Sequence, residues 1–216
     1  VSAKSKSIAN LICQILFVIA EVVGILVYPK LRWSVLLWYT NLSNWLVAGV
    51  SIACVVFFIL KKEQPKALRI LRLMGAVQLT LTFLTVYLFL APLSEMKEPG
   101  GFYEITFHRH LLVLHTICPL LYVVSWLFFE ASDYEIKDTV LAIGFTLLYE
   151  VVFTILNLVK VVHGPYPFLY VYEQPWWLSI IYLASFPGLA YLIALGLYAL
   201  KTKVPLFHGG EGQRAQ

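Results

Sequence analysis

Charge is what this chain has least of. Only 13% of its 216 residues are Asp, Glu, Lys or Arg, about half the share of an ordinary soluble domain, so a water-exposed surface of the usual kind cannot be built from it. Cysteine is as scarce: Cys13, Cys54 and Cys118 all stand in apolar sequence without Cys-x-x-Cys spacing. That gives no basis for a disulfide framework or a cysteine-rich metal site, and the three read as small core residues. No Walker loop, dinucleotide fingerprint, repeated soluble module or inverted repeat is evident, which leaves nucleotide-dependent chemistry and a repeat-built transporter without their usual signatures.

What the chain has instead is long apolar runs. Apolar residues make up 60% of it and mean hydropathy is +0.80, the composition of an integral membrane protein. The runs read as spans over Ile8–Tyr28, Leu36–Leu60, Ile70–Ala91, Leu111–Phe129, Asp138–Leu158 and Trp177–Leu200, each near the ~20 residues that cross a bilayer core. Lipid cannot satisfy a backbone amide, and the runs lack the alternation of barrel strands, so the spans are expected to be helices. The predicted fold is all-α: a polytopic membrane protein with six transmembrane helices. Residues 1–7 form an amino-terminal segment, 8–200 the membrane domain, and 201–216, with Gly209, Gly210 and Gly212, a mobile tail. The first span lacks a small-x-small cleavage site and reads as a retained helix.

Orientation follows from the connections. With the amino terminus inside, the inner segments hold Lys4, Lys6, Lys61, Lys62, Lys66, Arg69, Arg72, Lys137, Lys201, Lys203 and Arg214, against Lys30, Arg32, Lys97, Arg109 and Lys160 outside. This bias predicts both termini in the cytoplasm. Attraction to anionic inner-leaflet lipid accounts for the net charge of +4, with no nucleic-acid partner required. The segments Pro92–Arg109 and Val161–Pro175, rich in Pro and Gly, are then outer surface loops. Trp176, Trp177, Tyr166, Phe168, Tyr170 and Tyr172 form an aromatic belt there, which also suits an acyl chain.

Polar residues inside the spans are costly and therefore informative. They are Glu21, Asn41, Ser43, Asn44, Thr82, Thr85, His115, Glu150 and Asn157. Counting helical rise brings Thr40, Asn44, His115 and Asn157 to a similar outer depth, with Tyr166 and Pro167 following in the outer loop. Thr40 and His115 suit nucleophilic acyl transfer: imidazole takes the hydroxyl proton as Oγ attacks an ester, then returns it to the leaving alcohol. Thr40 equally suits a helix cap or an interhelical hydrogen bond, and His115 a packed core histidine. Asn44 and Asn157 read as carbonyl-polarising donors or interhelical bonds. Glu150 could orient His115 or pair within the bundle, Glu21 is similar, and Ser43 faces the same pocket one turn after Thr40. His108, His110 and His115 invite a metal, with Glu104 or His163 as further outer-loop ligands, but their spacing is poor for one. No metal or cofactor is expected.

The segment Trp38-Tyr39-Thr40-Asn41-Leu42-Ser43-Asn44 resembles the threonine-bearing helix start of the androgen-induced and androgen-dependent membrane protein family and its bacterial relatives. Leu114-His115-Thr116-Ile117-Cys118-Pro119 resembles that family's histidine span, and Gly164-Pro165-Tyr166-Pro167-Phe168-Leu169 its outer Tyr-Pro-Phe loop. The three occur in the family's order, over roughly residues 8–200. The resemblance implies a cofactor-free threonine hydrolase of lipid esters, with fatty acid esters of hydroxy fatty acids as the animal substrate class, Thr40 as nucleophile and His115 as base. It also implies a bacterial cytoplasmic membrane as the setting. The rival expectation is a noncatalytic lipid-binding or small-molecule transport protein, because intramembrane polar groups bind as readily as they catalyse.

Overall fold

The structure, a computed structural model, describes residues 3–28, 33–130 and 133–207, and its regular elements are helices. Lys30, Arg32, Gly209, Gly210, Gly212 and Arg214, invoked above for topology and the tail, lie outside the described residues. In chain order the helices are α1 (Ala3–Leu26), α2 (Tyr39–Ile59), α3 (Lys66–Lys97), α4 (Gly101–Thr106), α5 (His110–Phe129), α6 (Asp138–Ala142), α7 (Gly144–Leu158) and α8 (Trp176–Lys203). Five of them (α1, α2, α3, α5 and α8) are long and apolar enough to cross a membrane. The protein is a multi-pass helical bundle of membrane type.

The bundle is sided as lipid demands. Ile12, Ile19, Ile52, Ile59, Val151 and Ile180 are exposed on its outside, while Phe17, Val47, Leu73, Tyr122, Trp126, Ala190 and Ala194 pack in its centre. A bundle in water would reverse the chemistry of the outer face.

Three sequence expectations need correction. The predicted span Asp138–Leu158 is not one helix: the chain turns at Ile143 (φ −88°, ψ −2°), just before the weak helix former Gly144. The remaining α7 has 15 residues, about 22 Å at 1.5 Å per residue, short of the roughly 30 Å of a hydrocarbon core. The predicted loop Pro92–Arg109 is largely helical, holding the last turns of α3 and all of α4. The predicted tail begins as helix, since α8 runs to Lys203 and Lys201 is fully buried.

Proline explains how α3 continues through Pro92. A proline inside a helix lacks an N–H and collides with the carbonyl four residues back. Here a π turn, Val86–Leu90, directly precedes Ala91-Pro92, and the Ala91 N–H bonds the Val86 carbonyl, so the wider turn absorbs the misfit. The same device recurs in α5: the π turn Val113–Ile117 directly precedes Cys118-Pro119, with the Cys118 N–H on the Val113 carbonyl. His115 sits inside that second π turn.

The antiparallel pairing of α2 and α3 sets the register that matters for the site. Val50 and Cys54 pack with Leu68 and Leu71. One level up, a Cβ on Gly75 would lie 2.8 Å from Val47 Cγ2 and 3.0 Å from the Tyr122 hydroxyl. Glycine is required there because α2, α3 and α5 close on one point.

Candidate functional site

From the Gly75–Val47–Tyr122 contact, the same step of seven residues toward the far end of the bundle leads to Thr82 on α3, Thr40 on α2 and His115 on α5. Seven residues are close to two α-helical turns, so Thr82 and Thr40 return nearly to the faces they left, while the step to His115 enters the wider π turn. The π turn carrying His115 touches both α2 and α3. Three helices thereby bring a threonine, a second threonine and a histidine to one level, here called the Thr40 end.

Thr40 stands in the first turn of α2. Trp38, at the capping position, is extended (φ −87°, ψ 123°) and gives no side-chain cap. The N–H groups of the first turn therefore lack an intrahelical partner and project toward the Thr40 end. The Thr40 carbonyl accepts from Ser43 Oγ (3.0 Å) and Asn44 Nδ2 (2.8 Å). Asn44 Nδ2 also reaches the Leu114 carbonyl at 3.4 Å, so one amide joins the threonine turn to the residue before His115. Asn41 donates to Val35 O at 3.0 Å and fixes the short 3₁₀ turn Trp33–Leu37 that leads into the helix. The Tyr166 hydroxyl lies against Thr40, bonded to its side chain, and burial pushes that phenol up to about 12. Trp38 closes edge-on over Tyr166 at 5.5 Å, and Phe168 stacks on Tyr166 at 5.1 Å and on Phe186 at 5.2 Å. The predicted aromatic belt thus in part forms the wall beside Thr40.

His115 is 8% exposed. Its Nδ1 lies 2.6 Å from the Ile105 carbonyl. A carbonyl only accepts, so Nδ1 carries the proton and Nε2 of the neutral ring is left with its lone pair. Thr116 Oγ1 donates to Thr106 O at 3.2 Å and meets the Tyr87 hydroxyl at 2.7 Å. The final carbonyls of α4 are therefore held by the two residues at the centre of the π turn. No hydrogen bond joins His115 to Thr40, whose hydroxyl is engaged by Tyr166.

The other expected residues divide. Asn157 accepts from Gly164 N (2.9 Å) and donates to Phe153 O (2.7 Å), which engages it in folding the loop after α7. Glu150 does not orient His115, because the Ile105 carbonyl does; it is 2% exposed with Oε1 unpartnered. Thr85 is half-buried at the start of the first π turn, whereas Thr82, one turn earlier, is buried with its hydroxyl unpartnered. Glu21 accepts from Cys118 Sγ at 3.7 Å and lines a cavity with Gly24, Tyr28, Asn41, Trp45 and Leu114. That cavity adjoins the site through the neighbours of Thr40 and His115 in sequence. The residues weighed for a metal are apart: His108 pairs with Glu104, His163 with Glu173, and His110 packs on Tyr28 at 4.3 Å. Among the described residues no group of three or more His, Cys, Asp or Glu side chains is arranged to hold a metal.

Sequence reasoning missed Gln78. It is fully buried, and neither its amide nitrogen nor its oxygen has a partner. Its position one turn beyond Gly75, opposite Asn44, was readable only from helix register. Also missed were Asn10, Gln14 and Arg72, which form a polar network at the opposite end. The prolines at 92 and 119 were visible, and they are the available signal for the π turns.

Comparison with protein-family models, with curated proteins and with solved structures finds no match to this chain.

Proposed function

We propose that the protein hydrolyses a lipid ester within the membrane, with Thr40 as nucleophile and His115 as general base. The carrying observation is the Asn44 amide, bonded at once to the Thr40 carbonyl and to the carbonyl preceding His115. It couples the two turns on which the chemistry depends. His115 brings an unprotonated Nε2 by virtue of its Ile105 bond, as a base requires. The Tyr39 and Thr40 N–H groups at the start of α2, which face the Tyr166 hydroxyl, suit the negative charge that develops on an attacked carbonyl once Tyr166 gives way. The Tyr166–Phe168–Phe186 stack offers apolar surface for a chain flanking the ester. Resemblance to the androgen-induced and androgen-dependent family supports the same roles and suggests esters of hydroxy fatty acids.

The reaction runs in two halves. His115 Nε2 takes the Thr40 proton as Oγ attacks; the alcohol leaves with that proton, and an acyl-Thr40 remains. Water then releases the fatty acid. To bring His115 to Thr40 the Thr40–Tyr166 bond must give way, a change that substrate entering between the aromatic rings would produce. Six passes, with α6 and α7 together making the fifth, and cytoplasmic termini agree with the basic residues concentrated at the Lys66 end. A bacterial cytoplasmic membrane is the proposed setting.

The test is a screen of lipid esters, with covalent trapping of the acyl group, on purified wild type, Thr40→Ala and His115→Ala. Turnover by wild type that persists in both folded variants overturns the assignment. Lipid binding without turnover is a second reading, favoured by the Thr40 hydroxyl bonding Tyr166 rather than His115; it requires tight lipid retention with no acyl-Thr40 formed.

A further inference from the structure

Hydrolysis inside a bilayer needs a water molecule where lipid excludes it, and resting on the hydrolase reading above, the same seam of helices offers a holder for one. Buried polar atoms in a membrane domain are normally paired, because an unpaired one costs several kcal/mol on the order of a lost amide solvation. Along the α2–α3 seam this rule fails at two neighbouring levels. Asn44 Oδ1, both polar atoms of Gln78 and Thr82 Oγ1 are all buried without a partner. Asn44 and Ser43 are 0% exposed, Gln78 0% and Thr82 4%.

Register brings them together. Gly75 meets Val47; one turn farther along, Gln78 lies opposite Asn44, and one more turn brings Thr82 opposite Thr40. Gly75 and Thr82 are seven residues apart and share a face of α3, with Gln78 about 60° away. The π turn of His115 contacts both helices, and Asn44 reaches the Leu114 carbonyl within it.

We infer that Asn44, Gln78 and Thr82 bind the hydrolytic water. The complement of groups fits one: Asn44 Oδ1 accepts, the Gln78 amide donates and accepts, and the Thr82 hydroxyl does either. A buried water characteristically makes about three such bonds. A lipid tail satisfies none of them. Asn44 then has two tasks: its nitrogen holds the threonine and histidine turns together, while its oxygen orients water toward them.

In deacylation the water oxygen attacks the acyl carbonyl of acyl-Thr40. One water proton passes to His115 Nε2, the carbonyl carbon–Oγ bond breaks, and His115 returns that proton to Thr40 Oγ. The products are the free fatty acid and the regenerated threonine. Gln78 and Thr82 act through the water and are positioning residues. They affect the second half-reaction alone, since in the first the nucleophile is Thr40 itself.

Two measurements on the full chain in nanodiscs test this. In a structure resolved finely enough to show ordered solvent, water is expected on Asn44 Oδ1, Gln78 and Thr82 Oγ1; Gln78 bonded directly to Asn44 or Thr82, with no water between, overturns the inference. In rapid mixing with p-nitrophenyl octanoate, Thr82→Val and Gln78→Leu are expected to keep the nitrophenolate burst while steady-state turnover falls about 10–100-fold and acyl-Thr40 accumulates by mass spectrometry. Thr82→Ser restores turnover, which a packing defect would not explain. Burst and steady state falling together, or neither changing, overturns the water role and leaves the hydrolase reading intact. Ordered water in a wild type that forms no acyl-Thr40 has the opposite meaning: the hydrolase reading fails and the water site stands without this role.

Discussion

The two ends of the bundle handle buried polarity differently. At the Lys66 end, the fully buried Arg72 is ion-paired to Glu130 and bonded through Nη2 to Asn10 Oδ1 at 3.1 Å. Ser125 and Gln14 donate to the same oxygen at 3.2 and 3.1 Å. Lys201, reaching from α8, caps the end of α5 through the carbonyls of Trp126 (3.0 Å) and Leu127 (2.7 Å). Four helices are tied by groups that answer one another. At the Thr40 end, Asn44 Oδ1, Gln78, Thr82 Oγ1 and Glu150 Oε1 are buried and unanswered, and a π turn loosens the helix that carries His115. Paired polarity fastens helices; unpaired polarity in the same low dielectric is costly. The Lys66 end also leaves Gln14 Oε1, Arg69 Nε and Arg72 Nε without a hydrogen-bond partner, but there an ion pair and a shared acceptor join several helices around them.

The sharpest way to break this contrast is at its chemistry. Thr40→Ala and His115→Ala are each expected to lower ester turnover by about 10²–10⁴-fold, measured on purified protein whose thermal unfolding in detergent matches wild type. A variant that loses fold and turnover together would mean that the Thr40 end is scaffold after all.

Next in size is the scaffold itself. Glu130→Ala strands the Arg72 guanidinium in the bundle and is expected to destabilise it by about 3–5 kcal/mol, read by chemical denaturation in mixed micelles. The double variant Glu130→Leu with Arg72→Met removes both charges and should recover most of that loss. A double variant as unstable as the single one would show that shape at this end matters more than charge pairing.

A smaller pair of substitutions compares the ends directly. Ser125→Ala deletes a hydroxyl bonded to Asn10 and should cost about 1 kcal/mol, whereas Thr82→Val deletes one with no protein partner and should cost less than that. Equal losses at the two positions would erase the distinction.

The smallest effect is at the surface of the Lys66 end. Hydrogen bonds from Lys137 and Lys66 hold the Glu135 carboxyl down at about 2, below its ordinary 4.5. Its folded value is the lower one, so its contribution is present above pH 4.5 and is lost as pH falls toward 2. Glu135→Gln should flatten the acid side of the stability profile in that window, modestly, because the group is exposed and screened by salt.

Much of the Thr40 end was legible before any fold was known. Thr40, Asn44 and His115 stood out because polar side chains in apolar runs are conspicuous, and depth counting levelled them correctly since helical rise is nearly constant. Asn157 was levelled equally well, yet its amide is engaged by its own loop, for depth says nothing of azimuth. Gln78 drew no notice in a helix that opens with Lys66, Arg69 and Arg72. The break at Ile143 was hidden because hydropathy is continuous across it.

Apolar run length and the rule that lipid leaves no backbone group unpaired were enough, from sequence alone, to require a helical membrane bundle. Proline after Ala91 and after Cys118 carried the local cause of both π turns. Which polar atoms found partners was decided only by tertiary structure. Pairing depends on the register and rotation of helices far apart in the chain, and those are set by packing such as Gly75 against Val47 and Tyr122, a contact among three segments that no single stretch of sequence contains.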